Sequence, residues 1–218
     1  MKPSVTYLWP SIAAGVDLQA PPGVNDELAR SAREVFAMTR VPGFEQMHFA
    51  STHNDHVPLL REHASKAAVD WWLESVSLMF FATVEQAFSN RLSCPLEMTG
   101  HIMVARDGDR VPAHRHSSHD LTILYYPHVD PPQLSDRLNT GALVMTDDRG
   151  CRHIWKNRNP AFHDHLAFRI HPRTGLMVAF TAHAMHETDV YRGPGERIVM
   201  AVNALALTAI TIRSPGPR

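Results

Sequence analysis

From residue 95 onward the chain is cut by turn residues into short apolar runs. These are LEMTGHIMVA (96–105), DLTILYYP (120–127), GALVMTD (141–147), HLAFRIHP (165–172), GLMVAFTA (175–182) and RIVMAVNALALTAI (197–210). Gly108, Pro112, Pro131-Pro132, Asn139 to Gly141, Pro172 to Gly175 and Gly193-Pro194-Gly195 lie between them. Runs this short, bounded by glycine and proline, read as strands, and several in succession predict an antiparallel sandwich or barrel. The first half has a different period. Residues 24–40 read as a helix with Asn25 as N-cap, Asp26 and Glu27 in the first turn and Pro42-Gly43 as the stop. In residues 66–90, Val69, Trp72, Leu73, Val76, Met79, Phe80, Val84 and Ala87 follow the i, i+3, i+4 spacing of a helix that packs on something large.

No linker or internal repeat divides the chain. The expectation is a mainly β protein with N-terminal helices: one domain over 1–218, with a helical part at 1–94 and a barrel or jelly-roll core at 95–212. A length of 218 residues is enough for a substantial core. The formal net charge of −1 provides no basic stripe for nucleic acid. Two cysteines, Cys94 and Cys151, make no disulfide framework and fit a reducing compartment. The opening residues lack a signal-peptide pattern, and no apolar run reads as long enough to span a bilayer. A cytoplasmic location is expected, and the sequence sets no oligomeric state.

Fifteen histidines are many for a chain of this size. In PAHRH, His114 and His116 stand two apart, so in an extended segment both imidazoles leave one face. Such a pair offers two metal ligands, and a third must come from another strand. His183 and His186, after the run 175–182, are the candidates. A second His-x-His, His163 and His165, has no matched role, and among fifteen histidines one chance pair is unsurprising.

The order of features around that pair carries a family resemblance. It runs from HIMVARDGDRVPAHRHSSHDLTILYYP through TGALVMTDDRG to FRIHPRTGLMVAFTAHAMHETDVYRGPGERIVMAVNAL. This order resembles the 2-oxoglutarate/iron(II)-dependent oxygenases. It looks closest to a small branch with a PH-x-H first motif and a late R-I-x-x-x-x-N strand. The resemblance covers roughly residues 99–205, and YLWPS near the start is similar to that branch's opening.

The resemblance implies a double-stranded β-helix (jelly roll) backed by helices, and a dioxygenase, expected to be a hydroxylase, that uses Fe(II) and 2-oxoglutarate. Its metal ligands fall on His114, His116 and His186, the last chosen over His183 by its spacing of six from Phe180. The family's usual acidic ligand is thus replaced by His116. Asp120 swinging in, or a vacant second position at Ser118, are the alternatives. The cosubstrate carboxylate falls to Arg197, eleven residues after His186, with the hydroxyl of Tyr126 and the amide of Asn203 beside it. A planar guanidinium gives a carboxylate two parallel charge-assisted bonds. His101, Met103 and His183 are candidate pocket residues. The substrate implied is a small molecule or an amino acid or peptide. The alternative is a cupin-like three-histidine metalloenzyme, a dioxygenase or isomerase that does not use 2-oxoglutarate.

Overall fold

The computed structural model describes residues 11–39, 55–89, 91–116, 118–130, 141–146 and 167–207. The loop cations Arg137, Arg152, Lys156 and Arg158, together with His163, His165, Cys151 and the opening YLWP, lie outside the described residues.

Helix α1 (Val24–Thr39) buries Leu28, Ala29, Ala32, Val35 and Phe36, a single stripe at helical spacing. It starts before the expected cap. The Glu27 N–H bonds the Gly23 carbonyl at 3.0 Å, so Asn25 sits inside the first turn. The side chain of Asn25 accepts the Tyr125 hydroxyl instead. Helix α3 (Lys66–Phe88) begins as a capped helix should, with the Ser65 hydroxyl accepting from the Ala68 N–H at 3.3 Å. It ends at Ser89, which turns left-handed with φ 54°. By length and composition α3 could cross a bilayer. Its Val69, Trp72, Val76, Met79 and Phe80 are instead buried in the protein core.

The strands form two antiparallel sheets. The larger has the order β1 (Ala13–Asp17), β6 (Leu176–Thr181), β3 (Leu121–Val129), β8 (Arg197–Ala206) and β2 (Leu96–Ala105). The smaller has the order β5 (Ala167–Ile170), β4 (Leu143–Thr146) and β7 (Met185–Thr188). The six expected runs all contain strands. Strands β1 and β7 were not expected, because five residues of AAGVD and four of MHET carry too little apolar pattern to be read alone. Pro127 has no N–H to give the ladder, and the β3–β8 register shifts between Tyr125 and His128.

Short helix α2 (Val57–His63), also unforeseen, protects the free edge of β2. The His56 N–H bonds the Gly100 carbonyl at 2.8 Å, and the Gly100 N–H bonds Asp55 Oδ1 at 2.8 Å. The Ile102 N–H donates to His56 Nδ1 at 3.1 Å. Gly100 permits this approach, since a Cβ there would lie 2.7 Å from Val57 Cγ2.

Strand alternation divides the interior into two layers. Ile198, Met200, Val202 and Ala204 of β8 join Ile123, Tyr125 and the helices in one cluster. Val199 and Ala201 join Leu124, Tyr126, Leu143, Val178 and Phe180 in a second cluster, which holds residues of both sheets. Arg197 and Asn203 share the parity of this second set, so the chemistry-bearing residues of β8 point between the sheets.

Candidate metal centre

The segment before β3 runs alongside β7. His114 and His186 lie opposite each other in an isolated antiparallel bridge. His116, two residues on, donates its backbone N–H to the Ala182 carbonyl at 2.8 Å and presents its ring to the same face. One potential ligand atom from each of His114, His116 and His186 lies within 4.8 Å of the other two. Ring centroids are 4.2 Å apart for His114 and His186, 5.1 Å for His114 and His116, and 5.4 Å for His116 and His186. Phe180 packs its ring 4.7 Å from His186.

Two of the rings are held in a ligand-ready tautomer. His114 Nδ1 is 2.8 Å from the Pro112 carbonyl, and His186 Nδ1 is 2.9 Å from the Ala184 carbonyl. A carbonyl only accepts, so each Nδ1 carries a proton, and in the neutral ring Nε2 is the nitrogen that keeps its lone pair. Burial pushes His186 down to about 3 and His116 down to about 4, each helped by the neighbouring imidazoles. Both are therefore neutral at pH 7, the form that binds a metal.

These rings open into a cavity of about 450 Å³. His101 and Met103 of β2 line it, as do Thr99, Thr122, Leu124, Ala201 and Asn203. His183 does not. The tight turn closed by the Ala184 N–H on the Thr181 carbonyl buries Ala184 and leaves His183 exposed. Asp120 is also turned away, because its Oδ2 accepts from the Ala206 N–H at 2.9 Å. Ser118 is on the cavity wall, hydrogen-bonded to His119 Nδ1 at 3.3 Å. His119 and Asp55 line the cavity as well. The sequence offered no pattern for Asp55, whose placement depends on the edge contact between α2 and β2.

Arg197 is 1% exposed. It donates through Nη1 to the Gly141 carbonyl, while its Nε has no hydrogen-bond partner among the described residues. Burial pulls its pKa down, against the opposing fields of Tyr126, Tyr191 and Asp109. Tyr126 is fully buried near it, and burial raises the phenol's pKa. Tyr125, its neighbour, faces the helices and stacks edge-on with Trp71. Asn203 bonds neither Arg197 nor Tyr126. Its Oδ1 accepts from Thr122 Oγ1 at 2.8 Å, and its Nδ2 lies 3.4 Å from His116 Nδ1.

No family model and no curated protein matches the sequence. Solved structures do match the fold. A Pseudomonas putida prolyl-4-hydroxylase aligns over 90% of this chain and 88% of its own, with a TM-score of 0.54 and 14% identity. The α-ketoglutarate-dependent epimerase SnoN from nogalamycin biosynthesis aligns over 89% of this chain and 78% of its own, with a TM-score of 0.56 and 13% identity. HygX from Streptomyces hygroscopicus, solved with nickel and 2-oxoglutarate bound, aligns over 89% and 82%, with a TM-score of 0.53 and 10% identity. The chain shares the fold of these enzymes. At these identities the likeness concerns architecture, and the activity has to be argued from the site.

Proposed function

We propose that this protein is an Fe(II)- and 2-oxoglutarate-dependent oxygenase on a double-stranded β-helix, a single domain whose helical part backs the sheet. The observation that carries the reading is Arg197. A buried guanidinium whose Nε lacks a partner is costly. It sits on the inward parity of β8, the strand that also supplies Ala201 and Asn203 to the cavity holding the three histidines. Arg197 and Tyr126 are not among the residues that line this cavity, so a carboxylate would have to reach past its wall to meet the orphaned donor and restore the charge balance. Tyr126, buried near Arg197, would add its hydroxyl. A three-histidine site alone would equally suit a cupin-like enzyme that needs no cosubstrate, and the orphaned Arg197 favours the first reading.

His114, His116 and His186 would hold the metal, a set of imidazoles compatible with iron. Fe(II) with 2-oxoglutarate would supply, when bound, a site for O₂ and two of the electrons that reduce it, as 2-oxoglutarate is oxidised to succinate and CO₂, leaving the other two oxidising equivalents of O₂ for the substrate. The chain's part is positioning. Pro112 and Ala184 fix two imidazoles in the ligating tautomer. Arg197 and Tyr126 would anchor the far carboxylate, and Leu124, Leu143 and Ala201 give the cavity an apolar wall. Because all three ligands are neutral, the site keeps both charges of the metal and favours an anionic cosubstrate. The substrate class, a small molecule or an amino acid or peptide, fits the names of the structural neighbours, a prolyl-4-hydroxylase and an epimerase from nogalamycin biosynthesis.

The test is succinate release by the purified protein supplied with Fe(II), 2-oxoglutarate and O₂, alongside equilibrium binding of 2-oxoglutarate. Succinate formation that requires Fe(II) and is lost in Arg197→Ala is expected. No metal and no 2-oxoglutarate binding sinks the reading. Metal binding with no cosubstrate binding moves the protein to the cupin-like alternative.

A further inference from the structure

We propose that Asn203 is the positioning residue that decides whether His116 serves as the third metal ligand, through which end of its side-chain amide faces the imidazole. The inference rests on the three-histidine reading of the metal centre and adds to it a control on one ligand.

The three imidazoles are not held alike. His114 and His186 each face a backbone carbonyl through Nδ1, at 2.8 and 2.9 Å. A carbonyl cannot donate, so those tautomers have one state. The Nδ1 of His116 faces a primary amide, Asn203, at 3.4 Å. An amide carries an acceptor at one end and a donor at the other. Here Oδ1 takes the Thr122 hydroxyl proton at 2.8 Å and Nδ2 faces His116. In that orientation Nδ1 accepts, the ring proton lies on Nε2, and Nε2 has no lone pair for a metal. Rotation of the amide by about half a turn exchanges its ends. Oδ1 then accepts from Nδ1–H, and Nε2 is free to ligate.

Thr122 makes both orientations viable. A hydroxyl donates and accepts, so it serves Oδ1 in one state and Nδ2 in the other. Thr122 and Asn203 are direct cross-strand partners on β3 and β8, and both are buried. With so little of either side chain exposed, an amide end that mismatches Nδ1 is costly, so the amide orientation and the His116 tautomer change together. Metal loading therefore selects the Oδ1-inward state, and a site with two fixed ligands gains a third.

The experiment is calorimetric titration of Co(II) into the metal-free full chain, for wild type, Asn203→Leu and Asn203→Asp. ¹⁵N-histidine NMR of the Zn(II)-loaded forms then reports which His116 nitrogen is protonated. An aspartate offers only acceptors, so Asn203→Asp is expected to bind Co(II) at least as tightly as wild type, with His116 protonated at Nδ1. Asn203→Leu is expected to lose about 10- to 100-fold in Co(II) affinity, the usual loss when the partner of a ligating histidine is removed. Wild-type affinity in Asn203→Leu, or loss of binding in folded Asn203→Asp, overturns the proposal and leaves the metal centre standing. If wild type itself binds no Co(II), the metal-centre reading fails, and this proposal with it.

Discussion

His114 and His186 exchange both backbone hydrogen bonds, each N–H donating to the other's carbonyl at 2.9 Å. A hydrogen-bonded antiparallel pair holds its two Cα atoms about 5.5 Å apart and sends both side chains to one face. Two imidazoles from segments 72 residues apart are thereby set side by side by the backbone.

His186→Ala should therefore abolish Zn(II) or Fe(II) retention, whereas His183→Ala should leave it unchanged. Metal content after dialysis, read by elemental analysis, checks both. Equal losses in the two variants would place the third ligand elsewhere.

Arg197→Met separates the two cofactors. It should weaken 2-oxoglutarate binding by about 10- to 100-fold, the loss of charge-assisted hydrogen bonds, while leaving metal affinity within a factor of a few. The metal-free, cosubstrate-free protein should become no less stable, because a desolvated cation with an unmet donor is replaced by an apolar chain of similar length. Urea midpoints with and without 2-oxoglutarate measure both effects.

Gly141→Ala acts on the same residue from the other side. Gly141 has φ +66°, and a Cβ there would lie 3.1 Å from Tyr191 Cδ2 and 3.2 Å from Arg197 Nη1. A loss of about 1–2 kcal/mol of stability is expected from the left-handed backbone alone. A further drop in 2-oxoglutarate affinity is expected from the displaced guanidinium. Unchanged cosubstrate affinity would show that the Gly141 carbonyl does not set the position of Arg197.

The metal-free protein should weaken as pH falls from about 6.5, the ordinary imidazole value. Burial lowers the pKa of His56, takes His116 to about 4 and takes His186 to about 3. Each holds its proton less well when folded than when unfolded, so each takes up protons on unfolding below about pH 6.5. Their stabilising contribution is therefore present above that pH and is lost as pH falls toward the folded values. His56→Asn keeps an acceptor near the position of Nδ1 without a titrating ring. Its stability should fall less steeply between pH 7 and pH 5 in chelator, read from denaturant midpoints. An unchanged slope would mean that His56 is not neutral in the folded protein.

Much of this arrangement is written in local pattern. The runs around β2, β3, β6 and β8 carry apolar residues bounded by glycine and proline, and α3 carries its stripe of large side chains. The His114/His116 pair is legible because alternation in an extended chain is a local rule. Choosing His186 over His183 depended on resemblance, since the turn that exposes His183 is fixed by a tertiary contact. The cap of α1 was misread for a similar reason, as Asn25 is engaged by Tyr125 from a distant strand. Helix α2, Asp55 and His56 were invisible because their roles exist only against the edge of β2. The partners of Asn203 were equally hidden, since sequence marks a buried amide without saying which strand supplies its neighbour.

Strand β8 is read twice by the rest of the molecule. Arg197, Val199, Ala201 and Asn203 belong to the inner surface, while Ile198, Met200, Val202 and Ala204 interlock with the helices. A single inserted residue near its start would exchange the two sets, bringing aliphatic groups to the cavity and pressing Asn203 into the helical core. The ten residues thus work like a text with two interleaved messages. Neither can slip without the other, so a copy of this strand that folds in register is also a copy with its chemistry in place.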